Sequence, residues 1–81
     1  MLQLTLYMRR YCHLCHEMID AINGMKEASQ LQINQVDIDL FPELEMKYGE
    51  DVPVLLYGDQ EVSRHRLDTV RLRDIVVRTQ T

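Results

Sequence analysis

Leu2, Leu4, Leu6 and Met8 alternate with Gln3, Thr5 and Tyr7, the two-residue period of a strand with unlike faces. The turn Arg9–Tyr11 ends that period. From there Leu14, Met18, Ala21, Ile22, Met25 and Ala28 recur at helical spacing, with Glu17, Asp20, Asn23 and Glu27 between them. The spacing predicts a helix over Leu14–Ala28. Gly24 costs that helix about 1 kcal/mol relative to alanine, so its later turns are weakly held. The methionines on the inner face read as core filler, not as ligands.

Leu31–Ile38 reads as a second strand, although its apolar phase slips between Ile33 and Val36. Asp39 is expected to cap a short helix from about Leu40 to Tyr48, with Pro42 tolerated in the first turn and Gly49 ending it. Val54-Leu55-Leu56-Tyr57 is a continuous apolar run, as in a strand covered on both faces. Gly58-Asp59 is a hairpin signal, and Gln60–Ser63 the returning edge strand. Asp68 is placed to cap a last helix, with Leu67 and Leu72 at the two positions of a hydrophobic staple. Leu72, Ile75 and Val76 form that helix's inner face, although Ile75-Val76-Val77 also has strand propensity. The order β-α-β-α-β-β-α describes an α/β protein. Its first crossover makes a parallel pair, right-handed by the general rule, and the hairpin adds two antiparallel strands. The expected architecture is a four-stranded mixed sheet with helices on both faces. No repeat, linker or low-complexity segment interrupts it.

Length and charge narrow the function. Eighty-one residues make one small domain, residues 1–81. A formal charge of −4 argues against nucleic-acid binding. No apolar run approaches the roughly 18 residues of a membrane span. Two cysteines are too few for a secreted disulfide scaffold, so a cytoplasmic protein is expected. Nothing demands more than a monomer. The stretch Asp37–Asp51 is strongly acidic, whereas the last twenty residues carry Arg64, Arg66, Arg71, Arg73 and Arg78 against Asp68 and Asp74. Most of these charges read as ordinary solvated faces.

Both cysteines lie in Tyr11-Cys12-His13-Leu14-Cys15-His16, where the first strand meets the first helix. A cysteine at a helix start meets unpaired backbone N–H groups and the positive end of the helix dipole. That field favours the thiolate, which is the reactive form. A second cysteine one turn on can close a disulfide or resolve a mixed one. Other readings stay open. Cys12-His13-Leu14-Cys15-His16 also spells the c-type haem attachment pattern. Against it, the N-terminal apolar run is too short for a signal peptide and no basic residue precedes it. A closed zinc site needs four ligands, and here His65 lies far in sequence from His13 and His16. The plainest alternative is a pair of buried structural cysteines, but a helix start beside Arg9 and Arg10 is not an inert setting.

Cys-x-x-Cys at the first turn of a β-α-β unit, followed by a β-β-α unit, resembles the thioredoxin fold and, within it, the glutaredoxins. Tyr7-Met8-Arg9-Arg10-Tyr11-Cys12-His13-Leu14-Cys15 is similar to their Tyr-x-Lys-Pro-x-Cys-Pro-Tyr-Cys segment. Asp51-Val52-Pro53-Val54-Leu55 is similar to their Thr-Val-Pro segment, which implies a cis Val52–Pro53 bond facing the cysteines. Val36-Asp37-Ile38-Asp39 with Pro42-Glu43-Leu44 resembles a compact glutaredoxin-like family of bacteria. The resemblance covers nearly the whole chain, with departures. His13 replaces a proline and Leu14 a tyrosine. Arg9 falls where a glutathione-contacting lysine would lie, and Arg10 replaces the proline after it. Arg64-His65-Arg66-Leu67-Asp68 stands in place of the Gly-Gly turn that docks glutathione's carboxylate, and Asp68 matches the aspartate at that helix start.

The activity these readings predict is dithiol–disulfide exchange, with Cys12 as nucleophile and Cys15 as resolving thiol. Protein or glutathione disulfides are the expected partners. No bound cofactor is expected, and glutathione is a candidate reductant. The resemblance brings Pro53 and the Arg64–Arg66 segment toward the cysteines beside Arg9 and Arg10. It thereby implies a basic rim on an acidic protein, one that lowers the thiol pKa and attracts anionic partners. Val52 would offer its backbone to an extended substrate. Tyr11 would pack against that substrate or on its own sheet. His13 would stabilise the thiolate as imidazolium or stand as an exposed spacer, and His16 is expected to be an exposed first-turn residue. Two further classes remain: an iron–sulfur carrier with Cys12 bridging a cluster between two copies, and a binding module without turnover. Cys15 argues against the first by offering an internal disulfide. The missing Gly-Gly turn keeps the second open.

Overall fold

The computed structural model describes residues 1–79. The chain runs β1 (Leu2–Met8), α1 (His13–Asn23), β2 (Leu31–Asp37), α2 (Pro42–Tyr48), β3 (Val54–Tyr57), β4 (Gln60–Arg64) and α3 (Thr69–Thr79), in the order the periodicity predicts. The four strands lie in the order β2-β1-β3-β4. β1 and β2 are parallel, with Leu2 opposite Leu31 and Met8 opposite Asp37. β3 is antiparallel to both β1 and β4. The hairpin turns at Gly58, whose φ of +59° is one that glycine adopts without a steric cost.

Strand alternation divides the apolar residues between the two faces of the sheet. Leu4, Leu6 and Met8 of β1 and Leu55 of β3 join Cys15, Met18 and Ile22 of α1 and Leu72, Ile75 and Val76 of α3 in one large core. Tyr7, Val54 and Leu56 point the other way, where Ile38, Tyr48 and Leu44 meet them. The two central strands thus carry apolar residues on both faces, and for β3 this is why its sequence reads as an unbroken apolar run.

Three boundaries differ from the periodicity. α1 ends at Asn23, not Ala28, with Gly24 as its C-cap and a short 3₁₀ turn at Ala28–Gln30. Met25 still reaches the core from the turn, so its apolar spacing was real but not helical. β2 ends at Asp37, not Ile38. The Asp37 carboxylate accepts the Asp39 N–H at 2.9 Å, turning the chain into a 3₁₀ segment, Ile38–Leu40, that buries Ile38 completely. Asp39 does not cap α2. That helix begins at Pro42, behind Phe41, which makes no side-chain cap. Asp39 lies inside the 3₁₀ segment, and its carboxylate is taken by Arg9 instead of the α2 N-terminus.

Candidate active site

Cys12 is the N-cap residue of α1, and its Sγ accepts the Cys15 backbone N–H at 3.1 Å. The sulfur therefore takes the place a serine or aspartate oxygen holds in an ordinary cap. No acidic residue sits in the first turn to oppose a thiolate there. Cys12 is half-buried and Cys15 is fully buried. The two are joined as a disulfide with Cα atoms 5.2 Å apart, within the range such bonds require. Cys15 is a member of the large core, and Cys12, Val52 and Leu67 all pack against that core. The cysteines, the segment before Pro53 and the segment before α3 thus all rest on one core.

The Val52–Pro53 bond is cis. The Pro53 carbonyl accepts the His65 N–H at 2.9 Å, which ties the β4–α3 loop to the proline. Asp68 accepts the Arg71 N–H at 3.0 Å and so caps α3, with Leu67 packed against the core that holds Leu72. Between this loop and α1 runs a groove of about 180 Å³, lined by Leu14, Glu17 and Met18 on one side and by His65, Arg66 and Leu67 on the other.

The four arginines of the expected rim divide in two. Arg9 is engaged inside the protein: its guanidinium donates to Asp39 and, through Nε and Nη2, to the Gly49 carbonyl at 3.3 and 2.9 Å. It closes the C-terminal end of α2, where cations are favoured. The approach is tight. A Cβ on Gly49 would stand 2.5 Å from the Glu45 carbonyl oxygen and 3.1 Å from Arg9 Nη2. Arg64 is held by Asp51 at 3.0 Å and by Glu61. The hydrogen bond to Glu61, against desolvation and with the charges of Glu61 and Asp51 adding to it, holds the Arg64 guanidinium pKa above its ordinary value. Arg10 and Arg66 have exposed side chains with no partner among the described residues. Of the four, these two keep their positive charge uncommitted among the described residues.

Tyr11, directly before Cys12, is 93% exposed and so does not pack on its own sheet. The His13 side chain is 88% exposed and its imidazole lies 3.2 Å from the Glu17 carboxylate one turn on, a partner other than the Cys12 sulfur. His16 is exposed, and its Nε2–H donates to the Arg10 carbonyl at 3.0 Å, fixing the turn before Cys12. Among the described residues no group of three or more His, Cys, Asp or Glu side chains could hold a metal ion. No helix among them is long and apolar enough to cross a membrane.

Two residues of the site were not found by sequence reasoning. His65 has φ of +67°, and Arg66 N–H donates across it to the Arg64 carbonyl at 2.7 Å, which makes it the centre of a γ-turn. Asp51 reaches both Arg64 and, at 3.8 Å, the His65 imidazole. A signal for His65 existed: it falls where the family pattern has glycines, the residues that tolerate positive φ. Asp51 carries no such signal.

A family model described as Glutaredoxin-like domain (DUF836) matches residues 3–76. Protein Ne2328 of Nitrosomonas europaea, solved by NMR, is 31% identical over 90% of this chain and 88% of its own, with a TM-score of 0.77. Protein XcR50 of X. campestris, solved by X-ray crystallography, is 35% identical over 91% of this chain and 95% of its own, with a TM-score of 0.68. A thioredoxin of Fasciola hepatica shares the fold at 23% identity and a TM-score of 0.52, covering 94% of this chain and 78% of its own. No curated protein matches. The fold is the thioredoxin fold.

Proposed function

The chain belongs to the glutaredoxin-like domain family, and from that premise we propose that it is a thiol–disulfide oxidoreductase working through the Cys12–Cys15 couple. The observation that carries this reading is the asymmetry of the pair: a half-buried Cys12 whose sulfur caps α1, in front of a Cys15 held in the core. In the reductive direction the Cys12 thiolate attacks one sulfur of a substrate disulfide. An S–S bond forms between Cys12 and substrate, and the first substrate thiolate leaves. Cys15, deprotonated, then attacks the Cys12 sulfur. The protein ends as the disulfide, and the second substrate thiolate leaves and takes up a proton. Two electrons pass from the protein dithiol to the substrate, and an external thiol must restore them. The same steps reversed oxidise a substrate dithiol.

The cap contact explains why Cys12 is the attacking thiol. Once the disulfide opens, the Cys15 N–H and the dipole of α1 face the Cys12 sulfur and favour its anion. Val52 supplies the substrate edge, since its backbone N–H and C=O have no partner among the described residues. Arg10 and the exposed ring of Tyr11, directly before Cys12, and Arg66, in the loop bonded to Pro53, suit a polypeptide bearing acidic residues beside its cysteine. Protein disulfides are the proposed partners, with glutathione as a reductant, in the reducing conditions of the cytoplasm.

The test is a pair of single variants. Cys12→Ser should abolish exchange with a disulfide-bonded peptide. Cys15→Ser should accumulate a mixed disulfide, seen by mass spectrometry as the protein mass plus that of one peptide thiol. The reverse pattern would overturn the assignment of roles, and exchange that survives both changes would overturn the function.

A further inference from the structure

The segment Gly49–Pro53 carries the substrate edge, and its polar groups are secured by residues distant in sequence. Arg9 takes the Gly49 carbonyl at one end. The Asp51 N–H bonds the Tyr48 carbonyl at 2.8 Å, and the His65 N–H takes the Pro53 carbonyl at 2.9 Å. Between these anchors the Asp51 carboxylate is held on one oxygen by Arg64 at 3.0 Å, and its other oxygen lies 3.8 Å from the His65 imidazole. Everything around Val52 is tied down except Val52 itself, whose N–H and C=O stay unpaired among the described residues.

The dipeptide Arg64-His65 therefore grips both neighbours of Val52. It holds the residue before by charge and the residue after by a backbone bond. His65 does so from positive φ at the centre of a γ-turn, an unusual conformation for a residue with a side chain. Such positions persist when surrounding contacts over-determine them, and they cluster at functional clamps. Asp51 and Arg64 are each 39% exposed, and exposed ion pairs contribute little to stability.

We propose that Asp51 is a positioning residue, latched by Arg64 and His65 so that the Val52 backbone is set to pair with an extended polypeptide beside Cys12. This rests on the oxidoreductase reading above. The latch selects for partners that have a peptide backbone next to their disulfide. A small disulfide without one gains nothing from it.

The experiment compares two oxidants on the pre-reduced, reductant-free protein, with acid quench and alkylation as readout. One is a short synthetic peptide with a single internal disulfide. The other is hydroxyethyl disulfide, which has no peptide group. The quantity measured is the ratio of the two second-order rate constants. Asp51→Asn removes the charge and keeps the size. His65→Gly keeps the backbone N–H and the positive φ but removes the imidazole. We expect Asp51→Asn to lower the peptide-over-hydroxyethyl ratio by about tenfold, the scale on which slight misplacement of a reacting group acts. His65→Gly should lower it by about twofold to threefold, because its contact with Asp51 is the longer one. An unchanged ratio in Asp51→Asn, or equal losses with both oxidants, would overturn the latch. No exchange by the unaltered protein with either oxidant would instead overturn the oxidoreductase reading beneath it.

Discussion

On the α1 and α3 side of the sheet, Leu4, Leu6, Leu55 and Leu72 are fully buried and Ile22 is 1% exposed, within one continuous core that includes Cys15. On the α2 side the buried cluster consists of Ile38, Tyr48 and Val54, and Leu40 and Met46 stand in solvent nearby in sequence, 72% and 89% exposed. The difference follows from what covers each face. α1 and α3 have eleven residues each and present apolar residues over several turns, whereas α2 has seven and starts at a proline. The thick side fixes Cys15 by packing. The thin side is supplemented by polar ties: Arg9 to Asp39 and Gly49, and Arg64 to Asp51. Val52 packs against both clusters, so the proposed substrate edge stands at the seam between them. In the proposed exchange a resolving thiol needs a fixed place in the core, while a substrate edge needs a free backbone at the surface, and the two faces would meet those needs by different means.

The largest effect expected from this contrast lies on the thick side. Ile22→Ala should cost about 2–5 kcal/mol in urea unfolding, because a filled position leaves a cavity that the surroundings only partly close. A cost below that of any thin-side change would break the comparison. Tyr48→Leu comes next. It keeps an apolar side chain but removes the stacked ring, whose centroid lies 4.7 Å from that of Tyr7, and should cost about 1–2 kcal/mol. Equal losses for the two variants would mean that the thin face carries as much as the thick one.

The smallest effect concerns the charged ties. The hydrogen bond from Arg64 holds the Glu61 carboxyl below its ordinary value of 4.5, against desolvation by burial, and the charges of Arg64 and Arg71 add to the lowering. A carboxyl lowered in the folded state binds protons less readily than in the unfolded chain. Its stabilisation is therefore complete above 4.5 and is lost as pH falls through the lowered folded value. The urea midpoint should fall slightly over that acidic window, and Glu61→Gln should remove part of the fall. Because Glu61 is exposed, the change is small. No difference between Glu61→Gln and the unaltered protein across the window would mean that the tie is not felt in the folding equilibrium.

Much of the fold was legible from local pattern. The period of two in Leu2–Met8, the period of 3.6 from Leu14 and the unbroken Val54–Tyr57 run each report a neighbour relation imposed by burial, so they survive in the sequence. The errors fell where a local polar group overrode the pattern. At Gly24 the apolar spacing continued but the helix did not. At Asp37 a carboxylate turned the chain one residue early. The site was legible only in part. The Cys12–Cys15 spacing and the Val52–Pro53 pair are contiguous in sequence, but Asp51, Arg64 and His65 meet only because β3 pairs with β4.

The sequence by itself determined the element order, the two-sided burial of β3 and the placement of both cysteines at the first strand-to-helix junction. These depend on residues within a few positions of one another, where backbone geometry leaves few choices. The tertiary structure alone decided which arginines stay free. Arg9 and Arg10 are adjacent in the chain and chemically alike, yet one closes the end of α2 and the other faces solvent. Whether a guanidinium finds a carbonyl or a carboxylate depends on segments some thirty or forty residues away, and no local pattern in the chain records where those segments will stand.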